Sequence, residues 1–204
     1  MELRVMTPAE LARAYETDFK EAFPPSELKP LEVMEKMRQR GAYDPLGYFD
    51  ESGAVQGYIF LWKHPDNRYV LIDYLCVPAG RRSGGTGGRI LAAARDFYPP
   101  ETVFLGESEA PLGDPAADPL KLRRLGFYAR NGAVTLGYDC ALFGVHYKTI
   151  CWADPLPDED EILRKHQEIY LEQFGPERYG QYIQIPLRPG ESPRPLTDWV
   201  EDID

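Results

Sequence analysis

A glycine-rich segment in the middle of the chain constrains most strongly how this sequence can fold. It runs from Val77 to Gly88 and follows the most apolar strand-like run, residues 69–77, which we expect inside a sheet. An amphipathic helix follows, with one apolar side formed by Ile90, Leu91, Ala94 and Phe97. Glycines let the backbone approach a ligand closely, and the free N–H groups of a first helical turn point at a bound anion. The order strand, glycine loop, helix therefore predicts a phosphate-binding site.

Known glycine loops differ in how they end, and two of them do not match this segment. A nucleotide-binding P-loop ends in Gly-Lys-Ser or Gly-Lys-Thr, whereas the string here is Gly-Gly-Arg. The dinucleotide fingerprint needs a third glycine three residues after the second, and counting from Gly85 and Gly87 that place holds Ile90. The remaining pattern is Arg-x-x-Gly-x-Gly, formed by Arg82, Gly85 and Gly87. Arg82 can add a charge-assisted contact to a phosphate.

The rest of the chain alternates between strand-like and helix-like runs without repeats. Thr7, Pro8 and Glu10 supply an N-cap, a first-turn proline and a capping-box glutamate for the first helix. The other expected elements are a strand over residues 2–6, a second helix through Leu31, Met34 and Met37, a hairpin over 46–62, a strand over 102–109, closing strands over 134–151, a helix after 158–161 and an extended tail over 186–195.

Composition limits the classes of function. The 204 residues suit one domain with an appendage, and the net charge of −10 argues against a general affinity for nucleic acid. Such a charge favours cationic small molecules or basic peptides, although it equally suits a protein that is only kept soluble by it. Three widely spaced cysteines favour a reducing, cytoplasmic setting. The first residues form no apolar block and no run approaches the ~20 apolar residues of a membrane span, so we expect a soluble, unprocessed protein without a membrane partner.

The glycine segment and a second motif resemble the GNAT superfamily of N-acetyltransferases. The family's pyrophosphate pattern, Val-x-x-x-x-Arg-x-x-Gly-x-Gly, is matched from Val77 to Gly87, and residues 123–133 (RRLGFYARNGA) resemble its Arg-Arg-x-x-Phe-Tyr-x-Arg-x-Gly-Phe segment. The resemblance covers residues 1–150. Departures from the pattern are Pro78 and Ala79, which shift the usual proline, Ala133 in place of phenylalanine, and Lys121 in place of asparagine.

The resemblance implies an α/β fold, a mixed central sheet of six to seven strands flanked by helices and splayed between its two central strands. It implies a GNAT domain over residues 1–152, followed by a helix and extended tail over 153–204. Acetyl-CoA is the implied co-substrate. The cofactor-binding residues are then Leu75, Cys76 and Val77 on the bent central strand, the loop residues Arg82, Ser83, Gly84, Gly85, Thr86, Gly87 and Gly88, and Lys121.

Acetyl transfer requires an amine that loses its proton, attacks a thioester and releases a thiolate, with no covalent enzyme intermediate. By resemblance Tyr128 is the general acid for the departing sulfur, although an aromatic pair at a helix end is also typical of a core. Asp73 and Glu109 are equal candidates for the base, and Glu107 shares a strand face with Glu109. The alternatives are a buried acid that is hydrogen-bonded to a neighbouring tyrosine, or an acid at a partly solvated strand end. A neutral amine needs no strong base.

The acceptor is expected between the loop of Phe23 and Glu27 and the far end of the Asp73 strand, where Glu27 can pair with a cationic amine. Alternatively Glu27 caps the next helix. The three histidines are isolated in sequence, so no metal site is expected, and Cys76 in an apolar strand predicts core packing rather than a nucleophile. The predicted function is N-acetylation of a small molecule or peptide amine by a monomer or homodimer. The alternative is a catalytically weak or inactive acyl-CoA-binding sensor.

Overall fold

The computed structural model describes residues 1–25, 27–82, 84–111, 113 and 118–196. The strands are β1 (Glu2–Val5), β2 (Tyr43–Phe49), β3 (Val55–Lys63), β4 (Tyr69–Cys76), β5 (Val103–Glu109), β6 (Val134–Leu142), β7 (Val145–Trp152) and β8 (Ile183–Leu187). The α-helices are α1 (Pro8–Ala14), α2 (Lys20–Ala22), α3 (Leu31–Gln39), α4 (Thr86–Phe97), α5 (Pro119–Arg130) and α6 (Glu159–Tyr182). These elements form two compact units, Met1–Thr102 and Val103–Asp204.

The first unit contains an antiparallel meander in which β1 pairs with β2, β2 with β3, and β3 with β4. Such neighbours need only short connections, which agrees with the predicted hairpin. The predicted strands of this region are confirmed. Aromatic side chains fill the core of the unit, where Phe19 stacks on Phe60 with ring centroids 4.5 Å apart.

Helix α1 begins as its sequence predicts. The Thr7 side chain accepts a hydrogen bond from the backbone N–H of Glu10, and the Glu10 carboxylate accepts one from the backbone N–H of Thr7. Arg4 donates two further hydrogen bonds to the same carboxylate, and together these bonds lower the pKa of Glu10 to about 2. The helix continues through a π-helical turn (Tyr15–Phe19) into α2.

Helix α4 packs closely on strand β3, and Gly57 permits the contact. A Cβ atom at position 57 would lie 2.6 Å from Ile90 Cδ1 and 2.8 Å from the carbonyl oxygen of Cys76. Ile90, Leu91 and Ala94 are buried as the helical pattern predicts, but Phe97 is 43% exposed. The apolar side of α4 is therefore shorter than expected, because the last turn of the helix extends beyond the sheet contact.

The second unit is a sheet in the order β5, β7, β6, β8, in which all neighbouring strands are antiparallel. Helix α6 lies against β6 and β8 and is kinked at Gly175, where φ is +68°, just before Pro176. Strand β8 occupies part of the segment that the sequence analysis describes as an extended tail. Its Pro186 is tolerated because β8 is an edge strand.

The predicted fold class, an α/β chain with its strands flanked by helices, is confirmed. The expected six to seven strands become eight in the described residues, since β8 adds a strand at the start of the proline-rich segment that was expected to be an extended tail. The splay between central strands and the division at residue 152 stay predictions. Cys76, Cys140 and Cys151 are free and buried. Among the described residues, no helix has both the length and the apolar character needed to span a bilayer.

The contact at Gly57 generates a stability prediction. We expect Gly57→Ala to lower the free energy of unfolding by about 1–3 kcal/mol, because the Cys76 carbonyl is backbone and cannot move aside. Gly80→Ala is the matched control, since a Cβ at position 80 meets nothing within 4 Å. Urea denaturation of both variants measures the difference. Equal stabilities would show that both Ile90 and the backbone at Cys76 make room for a Cβ atom at little cost, and would contradict the prediction.

Candidate functional site

The glycine loop forms an uncapped helix N-terminus in the first unit. Gly85 is the N-cap of α4 in the left-handed conformation, with φ of +72°, and no side chain caps the helix there. The first turn of a helix has backbone N–H groups without intrahelical partners, and here these belong to Thr86, Gly87 and Gly88. Arg89 braces the loop from inside the helix, donating to the Gly84 carbonyl (2.7 Å) and to the Thr86 hydroxyl (3.0 Å). This arrangement can bind a phosphate.

Arg82 lies beside this helix end. Its backbone is extended, its side chain is exposed, and its Nε donates to the Val77 carbonyl at 2.9 Å. The bond holds Nε at the point where β4 passes into the glycine loop, so the guanidinium belongs to the same loop as the N-cap Gly85. Ser83, predicted to bind the cofactor, lies outside the described residues.

The irregularity of β4 falls at Asp73. Leu75 and Cys76 pair in register with Ile59 and Tyr58 of β3, whereas the register shifts between Phe60 and Leu61 and leaves Asp73 as the extra residue. The family resemblance places the bend two to three residues later. Burial raises the pKa of the Cys76 thiol to about 12, so the thiol is protonated at neutral pH and is no nucleophile.

Asp73 is engaged by two side chains. Tyr43 donates a short hydrogen bond of 2.5 Å to Oδ2, and Lys29 Nζ lies 3.3 Å from Oδ1. Burial, together with the negative charge of Asp73, raises the pKa of the Tyr43 hydroxyl well above its usual value, which keeps it a donor. The hydrogen bond between acid and tyrosine is the alternative that the sequence analysis left open for Asp73.

The predicted acceptor loop is tied to β4. The Tyr74 hydroxyl donates to the Glu27 carbonyl and accepts from the Lys29 backbone N–H, each at 2.8 Å. Phe23 contacts the Tyr74 ring edge-on at 5.0 Å. The alternative role of Glu27 as a helix cap is wrong, because α3 begins after Pro30 without any side-chain cap.

In the second unit, Tyr128 lies near the C-terminal end of α5. Its ring packs edge-on against Trp152, with centroids 5.6 Å apart, and against Phe127 at 5.2 Å. Burial raises the pKa of the Tyr128 hydroxyl above its usual value of 10, against a smaller lowering effect of Arg124. Tyr128 is therefore protonated at neutral pH, as a proton donor must be. Its aromatic contacts also agree with the core alternative.

Glu109 and Lys121 belong to one charged cluster. Glu109 Oε2 lies 3.5 Å from Lys121 Nζ, and its Oε1 accepts from Arg124 at 3.1 Å. Lys121 also pairs with Asp118 at 3.5 Å. The cluster lines an open cavity of about 400 Å³ together with Pro119 and Leu120. Because both oxygens of Glu109 face cations, its carboxylate is bound in ion pairs rather than presented as an unpaired base.

A second network surrounds Glu107, which shares a strand face with Glu109 on β5. His166 Nε2 lies 2.7 Å from Glu107 Oε1, and Tyr170 donates to both carboxylate oxygens at 2.9 Å. The Tyr138 hydroxyl lies 3.1 Å from His166 Nδ1. Cys140 joins them, since one donor atom each of Glu107, Cys140 and His166 lie within 4.8 Å of one another. Sequence spacing gave no signal for this cluster, because Glu107 and His166 are 59 residues apart in sequence.

The fold resembles solved acetyltransferase structures over most of its length. A protein of Bacteroides thetaiotaomicron assigned to the GNAT acetyltransferase family matches with a TM-score of 0.69 and 20% identity, covering 86% of this chain and 99% of its own. For the ribosomal-protein-alanine N-acetyltransferase of Brucella melitensis, the TM-score is 0.53 at 17% identity, with 75% and 99% covered. For the Vibrio cholerae spermidine N-acetyltransferase in complex with CoA and spermine, it is 0.55 at 11% identity, with 74% and 94% covered. No family model and no curated protein matches the sequence.

The predicted site residues thus fall into two groups. The first unit holds the glycine loop, Asp73 and the acceptor loop, and the second holds Tyr128 and the cluster of Glu109 and Lys121. The strand, glycine loop and helix that carry the resemblance occur as β4, residues 77–85 and α4. With the structural matches, this order of elements shows that the chain has the fold of the GNAT-family N-acetyltransferases.

Proposed function

We propose that this protein is an acetyl-CoA-dependent N-acetyltransferase that acts on a primary amine of a small molecule or peptide. The observation that carries the proposal is the N-terminus of α4, where an N-cap glycine in the left-handed conformation leaves the first-turn N–H groups uncapped beside Arg82. This donor set fits a pyrophosphate, which carries negative charge and only accepts hydrogen bonds. The GNAT fold supports the assignment to acetyl transfer.

The proposed roles follow from the residues of the chain. The N–H groups of residues 86–88 and the Arg82 guanidinium hold the pyrophosphate, and the backbone of Leu75 to Val77 orients the pantetheine arm. Bound acetyl-CoA supplies the activated acetyl group. Lys121 lies in a cluster with Glu109 and Asp118, so a role for it in binding has to compete with these ion pairs.

The proton for the leaving group is assigned to a side chain that is protonated at neutral pH. Tyr128, protonated at neutral pH, donates to the departing sulfur. Direct attack by the amine requires no enzyme nucleophile, in keeping with the buried, protonated thiol of Cys76. Asp73 and Glu109 both hold cations, which suits binding of an amine better than strong-base chemistry. The acceptor therefore attacks as the neutral amine, and the proton that its nitrogen loses on attack passes to water. Phe23 and Glu27 border the proposed acceptor site, where the Glu27 carboxylate attracts a cationic amine.

The loop assignment is tested by the stability of the protein with its cofactor. Acetyl-CoA is expected to raise the melting temperature, since a ligand that binds only the folded state stabilises it by about 2.7 kcal/mol at a hundredfold excess over its dissociation constant. Gly87→Val should remove most of this shift by placing a branched side chain at the phosphate site. Gly80→Val, in the same segment but outside the Arg-x-x-Gly-x-Gly pattern, should keep it. An undiminished shift in Gly87→Val would refute the phosphate site.

The acid is tested by removing one hydroxyl group. Tyr128→Phe should retain acetyl-CoA binding and lower turnover by about 10²- to 10⁴-fold, the usual contribution of general-acid catalysis. Release of the CoA thiol across a panel of primary amines measures turnover. Tyr48→Phe, which removes the hydroxyl of a buried tyrosine on β2, is the control. If chemistry limits the rate and Tyr128→Phe turns over normally, Tyr128 is a core residue and not the acid.

A further inference from the structure

Lys29 places an ammonium group of this chain beside Asp73, at the irregular point of β4. Phe60 of β3 pairs with Tyr74 and Leu61 pairs with Ile72, so Asp73 lies outside the ladder as the extra residue of a β-bulge. Bulges redirect a side chain and are frequent next to functional sites. The side chain redirected here is a carboxylate that retains 14% of its exposure.

Three groups around Lys29 Nζ have the chemistry that binds an alkylammonium ion. The Asp73 carboxylate supplies the opposite charge at 3.3 Å, and the Trp62 ring centroid lies 5.3 Å away, within the range of a cation–π contact. The Tyr43 hydroxyl donates a hydrogen bond of 2.5 Å to the other carboxylate oxygen, and this bond orients the acid without adding charge. Because Lys29 and Asp73 remain 17% and 14% exposed, a solute can reach them.

The contact between Lys29 and Asp73 is a loose one. Charge-assisted hydrogen bonds between ammonium and carboxylate have lengths of about 2.7–2.9 Å, and this contact is longer, at 3.3 Å. The backbone of Lys29 is fixed, since its N–H donates to the Tyr74 hydroxyl at 2.8 Å. The side chain therefore reaches the carboxylate from a loop whose backbone is held independently of this ion pair.

The same unit contains a second trio of the same residue types. Lys63 Nζ lies 3.0 Å from Asp44 Oδ1, and Tyr98 donates 2.5 Å to Asp44 Oδ2. Here, however, Asp44 pairs in regular register with Leu61, and the lysine belongs to strand β3 rather than to a loop. This trio is a structural ion pair with the same chemistry, and it supplies a matched control.

We infer that Asp73, Tyr43 and Trp62 form a binding site for a primary alkylammonium group, and that Lys29 fills this site as an internal competitor until an amine displaces it. The site is defined by contacts within the first unit. Its use as the acceptor site rests on the proposed acetyltransferase function, in which case the acceptor is a primary amine that is bound as its ammonium ion and loses one proton to water before it attacks the thioester. The competitor then weakens the apparent affinity for the amine by a constant factor, set by the fraction of time that Lys29 occupies the site.

The test measures binding of n-butylammonium by isothermal titration calorimetry, without any acetyl donor. A site filled nine-tenths of the time by its own competitor binds about tenfold more weakly than the empty site. Lys29→Met, which keeps the length and removes the charge, should therefore bind the probe about tenfold more tightly than the parent. Asp73→Asn added to Lys29→Met should abolish this gain, and Lys63→Met should bind as the parent does.

Lys29→Gln serves as a second variant should Lys29→Met not fold, and the melting temperature of each variant shows which are folded. The inference is overturned if folded variants of Lys29 bind the probe no more tightly than the parent. It is equally overturned if the gain survives Asp73→Asn or appears in Lys63→Met. These titrations need no turnover, so the two proposals can fail separately. If the titrations give the expected result but the protein transfers no acetyl group, only the proposed function is refuted. If the protein is active but the titrations fail, only the ammonium site is refuted.

Discussion

The close approach of helix α4 to strand β3 is the contact on which the arrangement of the first unit depends. Position 57 accommodates only a hydrogen atom, because Ile90 and the carbonyl of Cys76 occupy the space where a Cβ would lie. Through this contact the first turn of α4 is held where β4 ends, and Arg82 adds a bond to the Val77 carbonyl. The orientation of the glycine loop is thus a result of core packing as well as of its own glycines.

Three aspartates of the first unit each accept a hydrogen bond of 2.5 Å from a tyrosine hydroxyl. Tyr43 serves Asp73, Tyr58 serves Asp18, and Tyr98 serves Asp44. The hydroxyl satisfies one carboxylate oxygen without adding charge, while Asp73 and Asp44 also pair with Lys29 and Lys63. Burial raises the pKa of each tyrosine, so the hydroxyl stays a donor at neutral pH. Of these three aspartates, Asp73 is the one at the β-bulge of the β3–β4 ladder, so its side chain does not follow the regular alternation of the strand.

Local patterns predicted what depends on neighbours in sequence. The capping box of Thr7 and Glu10, the hairpin and the passage from β4 through the glycine loop into α4 all involve residues within a few positions of each other. Long-range contacts were not predictable in this way. The pairing of Lys29 with Asp73 and of Glu107 with His166 depends on which strand and helix faces meet. Strand β8 was missed because its proline argues against a strand, although an edge strand accepts one.

The uncapped start of α4 also means that this helix is incomplete on its own. Serine, threonine and aspartate are preferred at the N-cap because their side chains accept a hydrogen bond from the first turn. Here the N-cap is Gly85, and the Arg89 side chain donates to the Gly84 carbonyl instead. An anion at this end would supply the hydrogen bonds that a capping side chain normally provides. Ligand and helix would then form one cooperative element, and amide hydrogen exchange in the first turn of α4 would report directly on occupancy.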